Sequence, residues 1–343
     1  MKILFCSFAY HPSVGGTETV SALLAEQFRH RGHAVELVTC TAGDGVDPTG
    51  LPVERRPRAA RLFSLVRWAD VVFHNNISLR LGWPLALLPR PWVVAHHTWI
   101  PRHGIAARLK RLVLRRARHI APSRALAADL GVPCTVIPNP YATGTFGPRP
   151  GRVRDRELLF VGRLVREKGV DLLVDALARL RQRGRALRLT IVGEGPEAPR
   201  LRALAAGHGV SDRIVFAGRL TGEPLVEVLN GHQVLVVPST CEETFGLVAL
   251  EGMACGCVPI VARSGGLPET VGEAGVVFER GDPTALAAAI EALFAAPDML
   301  ERLRAQATRQ LARHAPERVA GDYLQVIGAA GARQATHGPA RAV

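Results

Sequence analysis

The chain repeats one structural unit, and its clearest copy is Val234-Leu-Val-Val-Pro-Ser-Thr-Cys-Glu-Glu-Thr-Phe-Gly-Leu-Val-Ala-Leu-Glu251. A β-branched apolar run at 234–237 ends at Pro238, polar residues follow, and an apolar helical pattern begins near Gly246. This order of strand, loop and helix is the start of a βαβ unit. Strands joined in this way lie parallel in one sheet with helices on its faces, so the stretch predicts a doubly wound α/β fold.

Both halves of the chain repeat this alternation of short apolar runs and longer helical patterns. In a chain of 343 residues, two such series fit two Rossmann-like domains of roughly 150 residues each. A glycine- and proline-rich break at 147–151 divides a domain at 1–150 from one at 151–314, and a last helix is predicted within 315–330. The tail from residue 328 onward is expected to be disordered. The predicted strands are 2–5, 34–39, 71–74, 92–95, 119–121, 135–137, 158–161, 189–192, 214–216, 234–237, 258–261 and 275–278.

The net charge of +13 is concentrated in the first half of the chain. Residues 1–150 carry 19 basic and 8 acidic side chains, whereas residues 151–343 carry 24 and 22. This asymmetry suggests an anionic partner for the first half. An arginine-rich codon usage is the alternative, because the chain has only three lysines, but it does not explain why the second half is nearly neutral.

The sequence also suggests where the protein is located. No apolar run is long enough for a membrane span, and the first residues lack the apolar core of a signal peptide. The six cysteines are scattered and do not form the pattern of a disulfide framework. We therefore expect a cytoplasmic location with reduced thiols.

Two carboxylates flank the predicted helix start of the quoted stretch. Glu243 lies in the strand-to-helix loop, and Glu251 is expected two turns into the helix. A helix N-terminus offers free N–H groups and the positive end of the helix dipole, which suit a diphosphate or sugar hydroxyls. Carboxylates at this position can accept hydrogen bonds from vicinal diols on a sugar and on a ribose. The spacing alone is not specific, but its setting favours a ligand site.

A second motif, Val161-Gly-Arg-Leu-Val-Arg-Glu-Lys-Gly169, follows the strand predicted at 158–161. Arg163 and Lys168 are cations on a glycine-containing loop that leads into a helix, which is suitable for holding a diphosphate. The alternative is a pair of solvated surface charges. The carboxylate motif downstream favours the diphosphate interpretation.

Polar residues follow the predicted strands of the first half as well. Gly15 and Gly16 precede a helix, where they allow another molecule to approach the backbone closely, although a purely structural turn is the alternative. His96 and His97 follow one predicted strand, and Asn75 follows another. Because the carboxyl ends of parallel strands lie at one edge of the sheet, we expect these side chains to line a ligand site.

Residues 102–118 predict a basic amphipathic helix with no acidic side chain. Ile105, Leu109, Leu112 and Val113 mark one face, and arginines mark another. Such a helix can lie on an anionic membrane surface. The alternative is a helix that packs its apolar face on its own sheet and leaves the basic face in solvent.

Taken together, these residues resemble the retaining family 4 glycosyltransferases of the GT-B fold, over nearly the whole chain. The resemblance is strongest at Gly162-Arg163 with Lys168-Gly169, at the Glu243-x(7)-Glu251 signature, and at Gly265-Gly-Leu-Pro-Glu269. It implies two Rossmann-like domains that face one another across a cleft. The first would bind the acceptor and the second the nucleotide sugar, and the helix within 315–330 would cross back to the first domain.

The resemblance also implies roles for residues of the second domain. Arg163 and Lys168 would bind the donor diphosphate and stabilise it as the leaving group, and Glu251 would bind the ribose hydroxyls. Glu243 would act at the donor sugar, whose hydroxyls it would hold together with three backbone N–H groups. These N–H groups belong to Phe245, Gly246 and Leu247.

In the first domain, the resemblance implies that Gly16 approaches the donor phosphate. The family's histidine near the anomeric carbon aligns best with His97, and His96 is the alternative one residue away. The acceptor side would include Gly15, His96 and Asn75.

The activity implied is a retaining, metal-independent transfer of a hexosyl group from a UDP- or GDP-linked sugar to a hydroxyl acceptor, with no cofactor. The chain contains no Asp-x-Asp sequence, which agrees with metal independence. The basic first half favours a lipid-linked or exopolysaccharide acceptor and peripheral contact of residues 102–118 with the inner face of the cytoplasmic membrane. A soluble small-molecule acceptor is the alternative, and a nucleotide-sugar epimerase is a rival activity. No nucleic-acid partner is expected, because residues 102–118 contain no Phe, Tyr or Trp.

Overall fold

The computed structural model describes residues 1–13, 15–43, 47, 50–101 and 103–336. The chain forms two compact units, one from Met1–Tyr141 together with the chain from His314 onward, and the other from Ala142–Arg313. Each unit contains a parallel sheet whose strands are connected by helices, which confirms the predicted α/β class. The first unit ends before the break predicted at 147–151.

The first unit contains a seven-stranded parallel sheet. Its strands are β1 (Lys2–Ser7), β2 (Ala34–Thr39), β3 (Val53–Arg55), β4 (Val71–Asn75), β5 (Trp92–Ala95), β6 (Arg118–Ala121) and β7 (Cys134–Val136). The helices between them are α1 (Gly16–His30), α2 (Ala59–Trp68), α3 (Leu79–Gly82), α4 (Ile105–Leu114) and α5 (Arg124–Leu130). The strand order across the sheet is β3-β2-β1-β4-β5-β6-β7, so the direction of winding reverses between β1 and β4.

The second unit contains a six-stranded parallel sheet. Its strands are β8 (Arg156–Val161), β9 (Leu189–Val192), β10 (Ile214–Gly218), β11 (His232–Val237), β12 (Val258–Ala262) and β13 (Val276–Phe278). Its helices are α6 (Val170–Gln182), α7 (Ala198–Gly207), α8 (Glu223–Gly231), α9 (Leu247–Ala254), α10 (Leu267–Val271), α11 (Pro283–Ala295) and α12 (Pro297–Ala312). The strand order is β10-β9-β8-β11-β12-β13, and the winding reverses between β8 and β11.

A last helix, α13 (Pro316–Thr336), is part of the first unit although it follows the second unit in sequence. It packs against α1, β4 and β5, and its Tyr323 is fully buried. The predicted disorder from residue 328 is wrong for the described residues, because the helix continues to Thr336 and Ala330 is buried about two turns beyond Tyr323. Residues 337–343 lie outside the described part of the chain.

Every predicted strand is present, with its ends shifted by at most a few residues. The strand that was not predicted is β3, a three-residue segment at the edge of the first sheet beside β2. Its sequence, Val53-Glu-Arg55, is too short and too polar to show the alternation of a half-buried strand. Pairing with β2 alone is sufficient to form it.

Among the described residues, no single helix combines the length and hydropathy of a membrane span. The helical stretches Pro283–Ala295 and Pro297–Ala332 meet both criteria only as a pair, and they are bent by 97° at the break between them. Leu286, Ile290 and Leu293 of α11 are fully buried in the core of the second unit.

Candidate functional site

The residues predicted to bind the donor lie at the centre of the second sheet, where the winding reverses. β8 and β11 are neighbours there, with β9 and β10 beyond one and β12 and β13 beyond the other. At such a switch point the connections from the two strands run to opposite sides of the sheet, which leaves a crevice at their carboxyl ends. Arg163 and Lys168 follow β8 and Glu243 follows β11, so the topology brings all three to this crevice.

Backbone contacts hold the loops after β8 and β11 together. The N–H of Thr240 donates to the carbonyl of Glu167 over 2.9 Å. Gly169 has a φ of 64°, and a Cβ at this position would lie 2.1 Å from the carbonyl oxygen of Pro238. Because only glycine tolerates both the conformation and the close approach, the position of the loop that carries Lys168 depends on Gly169.

Lys168 and Glu243 form an ion pair, with Lys168 Nζ 2.6 Å from Glu243 Oε1. The side chains are only 28% and 16% exposed. Ser239 Oγ donates to the same carboxylate oxygen over 2.7 Å. The Glu243 backbone is also held, since its N–H donates to Ser264 Oγ over 3.3 Å and its carbonyl accepts from the Gly266 N–H over 2.8 Å. The pair is therefore fixed through both its side chains and the backbone.

The N-terminus of α9 follows Glu243 closely in sequence. The helix begins at Leu247, and its cap residue Gly246 has a φ of 105°. The first N–H groups of a helix have no partner within it and form the positive end of its dipole, which suits phosphate oxygens. Phe245 precedes this helix start, and its side chain is buried while its carbonyl accepts from Thr270 Oγ1 over 2.8 Å. These two contacts involve the ring and the carbonyl, whereas the predicted donor contact is made by the N–H.

Glu251 is the fifth residue of α9, so it lies just over one turn into the helix rather than the predicted two. Burial raises the pKa of its carboxyl to about 7. The Arg163 side chain is exposed in the loop after β8. Within the described ranges, no hydrogen bond or ion pair joins Arg163 or Glu251 to the pair formed by Lys168 and Glu243. The structure thus brings two of the four charged residues into contact and places the other two on adjoining segments.

A chain of buried polar side chains lies at the switch point of the first sheet. His97 Nε2 is 2.7 Å from Asn75 Oδ1, and Asn75 Nδ2 donates to Ser21 Oγ over 2.7 Å. Ser21 Oγ is in turn 2.8 Å from Ser7 Oγ. β1, α1, β4 and the loop after β5 each contribute one residue to this chain.

These contacts determine which nitrogen of His97 carries the proton. Asn75 Nδ2 also faces the carbonyl oxygen of Thr17 at 3.3 Å, so the amide nitrogen must point that way and Oδ1 must point at His97. Because Oδ1 only accepts, Nε2 of His97 carries the hydrogen and Nδ1 keeps its lone pair. Burial lowers the pKa of His97 to about 4, so the ring is neutral at pH 7.

The structure places Asn75 and His96, the residues predicted to contact the acceptor, inside the first unit. Both side chains are fully buried, and the Asn75 amide is engaged by His97 and Ser21. His96 Nε2 lies 3.2 Å from His119 Nδ1, and burial lowers the pKa of His96 to about 3. Asn75 therefore holds the ring of His97. Both candidate histidines are buried, with exposed fractions of 0% for His96 and 7% for His97.

Gly15 and Gly16 lie at the N-terminus of α1, directly after the loop that follows β1. Gly15 has an extended backbone, and a Cβ added there would meet only the far end of the flexible Glu18 side chain. The local conformation and the surrounding atoms therefore do not require glycine at position 15. Val14 of the same motif lies outside the described residues.

Two polar residues at the second site were not identified from the sequence. Ser239 and Ser264 hold Glu243. Ser239 stands in the quoted stretch, so proximity to a motif was the available signal. Ser264 is distant in sequence, and only the pairing of β11 with β12 brings it near.

The basic helix α4 turns its apolar residues outward. Ile105, Leu109 and Leu112 are 87%, 47% and 60% exposed, whereas Leu114 is buried. The alternative in which the apolar face packs on the sheet holds only for Val113, which packs against the core of the first unit beside Ala107 and Leu114. The other three residues of that face are exposed. Arg102, the first residue of the predicted basic segment, lies outside the described residues.

Two family models match the chain, one for each half. Residues 14–144 match the model described as Glycosyltransferase Family 4, and residues 149–310 match the model described as Glycosyl transferases group 1. The boundary between the matches, at 144–149, lies close to the division between the two units after Tyr141.

Curated relatives are similar over about half of the chain. D-inositol 3-phosphate glycosyltransferase of Acidothermus cellulolyticus is 39% identical over 201 residues, which are 52% of this chain and 43% of the relative. Glycogen synthase of Mycobacterium tuberculosis is 40% identical over 180 residues, which are 51% of this chain and 43% of the relative. A GDP-mannose-dependent phosphatidylinositol monomannoside mannosyltransferase of Mycolicibacterium smegmatis is 37% identical over 180 residues, 47% of each chain. The chain thus spans less than half the length of these relatives.

Solved structures are similar over nearly the whole chain. Alr3699/HepE of Anabaena in complex with UDP superimposes with a TM-score of 0.83 at 21% identity, covering 96% of this chain and all of that one. The lipopolysaccharide outer core galactosyltransferase WaaB gives a TM-score of 0.73 at 19% identity, covering 96% and 99%. At such identities the likeness concerns the fold. The chain therefore has the GT-B fold, and its two halves match the glycosyltransferase family 4 and glycosyl transferases group 1 models.

Proposed function

We propose that this protein is a retaining, metal-independent glycosyltransferase that moves a sugar from a nucleotide diphosphate sugar to a hydroxyl acceptor. The observation that supports this most directly is the ion pair of Lys168 and Glu243 at the switch point of the second sheet, next in sequence to the N-terminus of α9. A cation and a helix end suit a diphosphate, and a carboxylate suits sugar hydroxyls. The matches to two glycosyltransferase models support the same activity.

The second unit supplies the proposed donor site. Lys168 and Arg163 bind the diphosphate together with N–H groups at the start of α9, while Glu243 holds hydroxyls of the donor sugar. Glu251 binds the ribose hydroxyls from its position one turn into the helix. The bond between the anomeric carbon and the diphosphate oxygen breaks as the acceptor oxygen bonds to that carbon on the same face. The departing diphosphate takes the proton of the acceptor hydroxyl.

Electrostatic stabilisation of the leaving diphosphate is the main catalytic contribution in this proposal. Positive charge comes from Lys168, Arg163 and the helix end, so no metal ion or other cofactor takes part. The serine and glycine contacts around Glu243 fix the pair before the donor binds, which lowers the reorganisation needed during the reaction. His97 is the residue of the first unit that we propose to act at the reacting sugar, through the lone pair of Nδ1.

The donor base is proposed to be uracil or guanine. HepE is described in complex with UDP, and the mycobacterial mannosyltransferase is described as GDP-mannose-dependent. Thermal shift with UDP and GDP distinguishes these bases, since a nucleotide at 100 times its Kd stabilises the folded chain by about 2.7 kcal/mol.

For the acceptor we propose a lipid-linked or exopolysaccharide saccharide, used at the inner face of the cytoplasmic membrane. The observation that favours a lipid is the outward-facing apolar side of α4 beside a run of arginines. A soluble small-molecule acceptor is the alternative. A nucleotide-sugar epimerase is the rival activity, and product analysis separates it, because an epimerase converts the donor when no acceptor is present.

Replacing Lys168 by methionine tests the proposed donor site. Loss of this cation should raise the barrier to transfer by about 2–4 kcal/mol, which is roughly a 30- to 1,000-fold lower kcat. Transfer and donor hydrolysis are both measured, using UDP- and GDP-sugars. Lys168→Arg keeps the charge and should recover part of the loss.

Arg166→Met is the matched control, because Arg166 lies on the same loop with an 80% exposed side chain that pairs with Glu197. Its rates should stay within about twofold of the unmodified protein, as is usual for surface substitutions. Full activity of Lys168→Met would show that the diphosphate is held elsewhere. Failure of the unmodified protein to bind any nucleotide diphosphate would remove the proposed function altogether.

A further inference from the structure

A groove of about 880 Å³ lies beside α4 in the first unit. It is bounded by α4 on one side and by α3 and the turn after it on the other. Its apolar side chains include two residues of the outward face of α4 and a tryptophan that is 41% exposed. We name it the α4 groove, and its main apolar side chains are Ile77, Trp83, Leu85, Leu109, Leu112 and Val113.

The α4 groove extends along the strands of the sheet. One end is formed by Ile77 and its neighbours, which follow β4 at the carboxyl edge of the sheet. The other end is formed by Trp92 and Arg118, with which β5 and β6 begin. The lining thus includes residues near both edges of the sheet, which are separated by the length of β5, four residues or roughly 13 Å. An elongated apolar groove of this kind suits an extended hydrocarbon chain.

The charge of the α4 groove is concentrated at one end. Four arginines and no acidic residue are among its described lining residues. All four lie just before or at the start of β5 or β6, at the amino edge of the sheet. Arg115 and Arg116 are exposed, and neither forms an ion pair within the described part of the chain. The lining arginines are Arg90, Arg115, Arg116 and Arg118.

We propose that the α4 groove binds one acyl chain of an anionic phospholipid, with the lipid phosphate against Arg115 and Arg116. The acyl chain would cover the exposed side chains of Trp83, Leu109 and Leu112. Removing this apolar surface from water is favourable. Guanidinium groups bind phosphate oxygens in the bidentate manner that their geometry favours. The α4 groove would be the site of the peripheral membrane contact in the proposed function, on which this assignment rests.

The lipid in the α4 groove is an anchor and not the acceptor. Its phosphate would lie at the amino edge of the first sheet, where β5 and β6 begin. His97 and Gly16 follow the opposite, carboxyl ends of β5 and β1. A saccharide attached to a phosphate at Arg115 would therefore lie at the wrong edge of the sheet for His97. The protein would bind the membrane through a lipid that it does not modify.

Vesicle flotation of the full chain tests this inference, with phosphatidylglycerol in phosphatidylcholine compared with phosphatidylcholine alone. The unmodified protein should bind only the anionic vesicles. Leu109→Ser with Leu112→Ser, and separately Arg115→Gln with Arg116→Gln, should each weaken binding at least about tenfold. All four side chains are exposed, so these variants should fold normally.

Two matched controls on the same helix separate the groove from a general basic or apolar surface. Ile105 is 87% exposed and Arg108 is exposed, and neither lines the groove. Ile105→Ser and Arg108→Gln should bind vesicles within about twofold of the unmodified protein. Equal weakening by these controls, or equal binding to neutral vesicles, would overturn the proposal.

Insertion of the acyl chain into the α4 groove is measured separately, by fluorescence quenching. Phosphatidylglycerol with brominated acyl chains should quench the tryptophan fluorescence, and Trp83→Phe should lower that quenching, because Trp83 lines the groove. Absence of quenching in the bound protein would also overturn the proposal. Donor hydrolysis is followed in parallel and should be unchanged in all groove variants, so a failed lipid site and a failed donor site give different results.

Discussion

Glu251 shows how a residue proposed for substrate binding can reduce stability. Burial raises the pKa of its carboxyl from the ordinary 4.5 to about 7. Below pH 4.5 the carboxyl is protonated in the folded and the unfolded chain, so burial has little electrostatic cost. Between pH 4.5 and 7 the unfolded chain releases the proton first, and stability falls as the pH rises. Above pH 7 the full cost is present.

Glu251→Gln should therefore stabilise the protein at pH 8 by about 1–2 kcal/mol and leave its stability at pH 4 nearly unchanged. The same variant should bind nucleotide at least about tenfold more weakly, because an amide accepts fewer hydrogen bonds from a ribose diol. Thermal unfolding and nucleotide titration at both pH values measure these effects. Glu273→Gln, at an exposed position, should change neither. A lower Tm for Glu251→Gln at pH 8 would contradict the argument.

Asn75 determines which nitrogen of the neutral His97 ring carries the hydrogen, and Asn75→Asp should change the pKa of that ring. A carboxylate beside Nε2 favours the imidazolium and raises the pKa of His97 above its present value of about 4. Protonation removes the lone pair of Nδ1, so kcat should fall on the acid side of neutrality, where the His97 ring of the unmodified protein stays neutral. The pH profile of kcat and the ¹⁵N shifts of His97 measure this. An unchanged pH profile for Asn75→Asp would refute a role for Asn75.

At the scale of single residues, the candidate site could be predicted from the sequence where its residues lie in a recognisable motif. Lys168 and Glu243 were identified from their loops, and the structure places them in contact. The function of Asn75 was not predictable, because a polar residue at a strand end can face a ligand or the core. In the structure the Asn75 side chain faces the interior, where it donates to Ser21 of α1, and Ser21 is in turn bonded to Ser7 of β1.

At the scale of elements, close backbone packing holds the candidate site together. The loop between β12 and α10 contacts Glu243 through Gly265, which has a φ of 49°, and a Cβ there would lie 1.9 Å from the Glu243 carbonyl oxygen. Strands were predictable because β-branched runs identify them in sequence. The orientation of α4 was not, since its pattern shows two faces but not which one the sheet accepts.

Gly265→Ala should displace Glu243 and lower the free energy of unfolding by roughly 3 kcal/mol, with weaker nucleotide binding. Gly184→Ala isolates the conformational part of this effect, because Gly184 has a φ of 79° and open space around it. That control should cost only about 1 kcal/mol and leave nucleotide binding intact. Urea unfolding and nucleotide titration measure both variants. Similar losses in the two would show that the contact with Glu243 is unimportant.

At the scale of the whole molecule, the two units differ in charge and in how the chain builds them. The excess positive charge of residues 1–150 was evident from the sequence, and the α4 groove now shows one place where it gathers. The pattern of the last helix predicted an amphipathic element but not the sheet that it covers. Only the resemblance to family 4 indicated that this helix returns to the first unit. The hydrophobic pattern underestimated the length of the helix, which extends to Thr336.

The return of α13 to the first unit affects the order of events during synthesis. The first sheet leaves the ribosome early, yet Tyr323, which is buried in its core, emerges only after the entire second unit. The second unit is contiguous from Ala142 to Arg313 and needs no later segment. Since domains fold as units while they are made, we expect the second unit, which is translated later, to complete its core first. Until α13 is synthesised, the surface of the first unit that this helix covers, formed by α1, β4 and β5, would remain exposed.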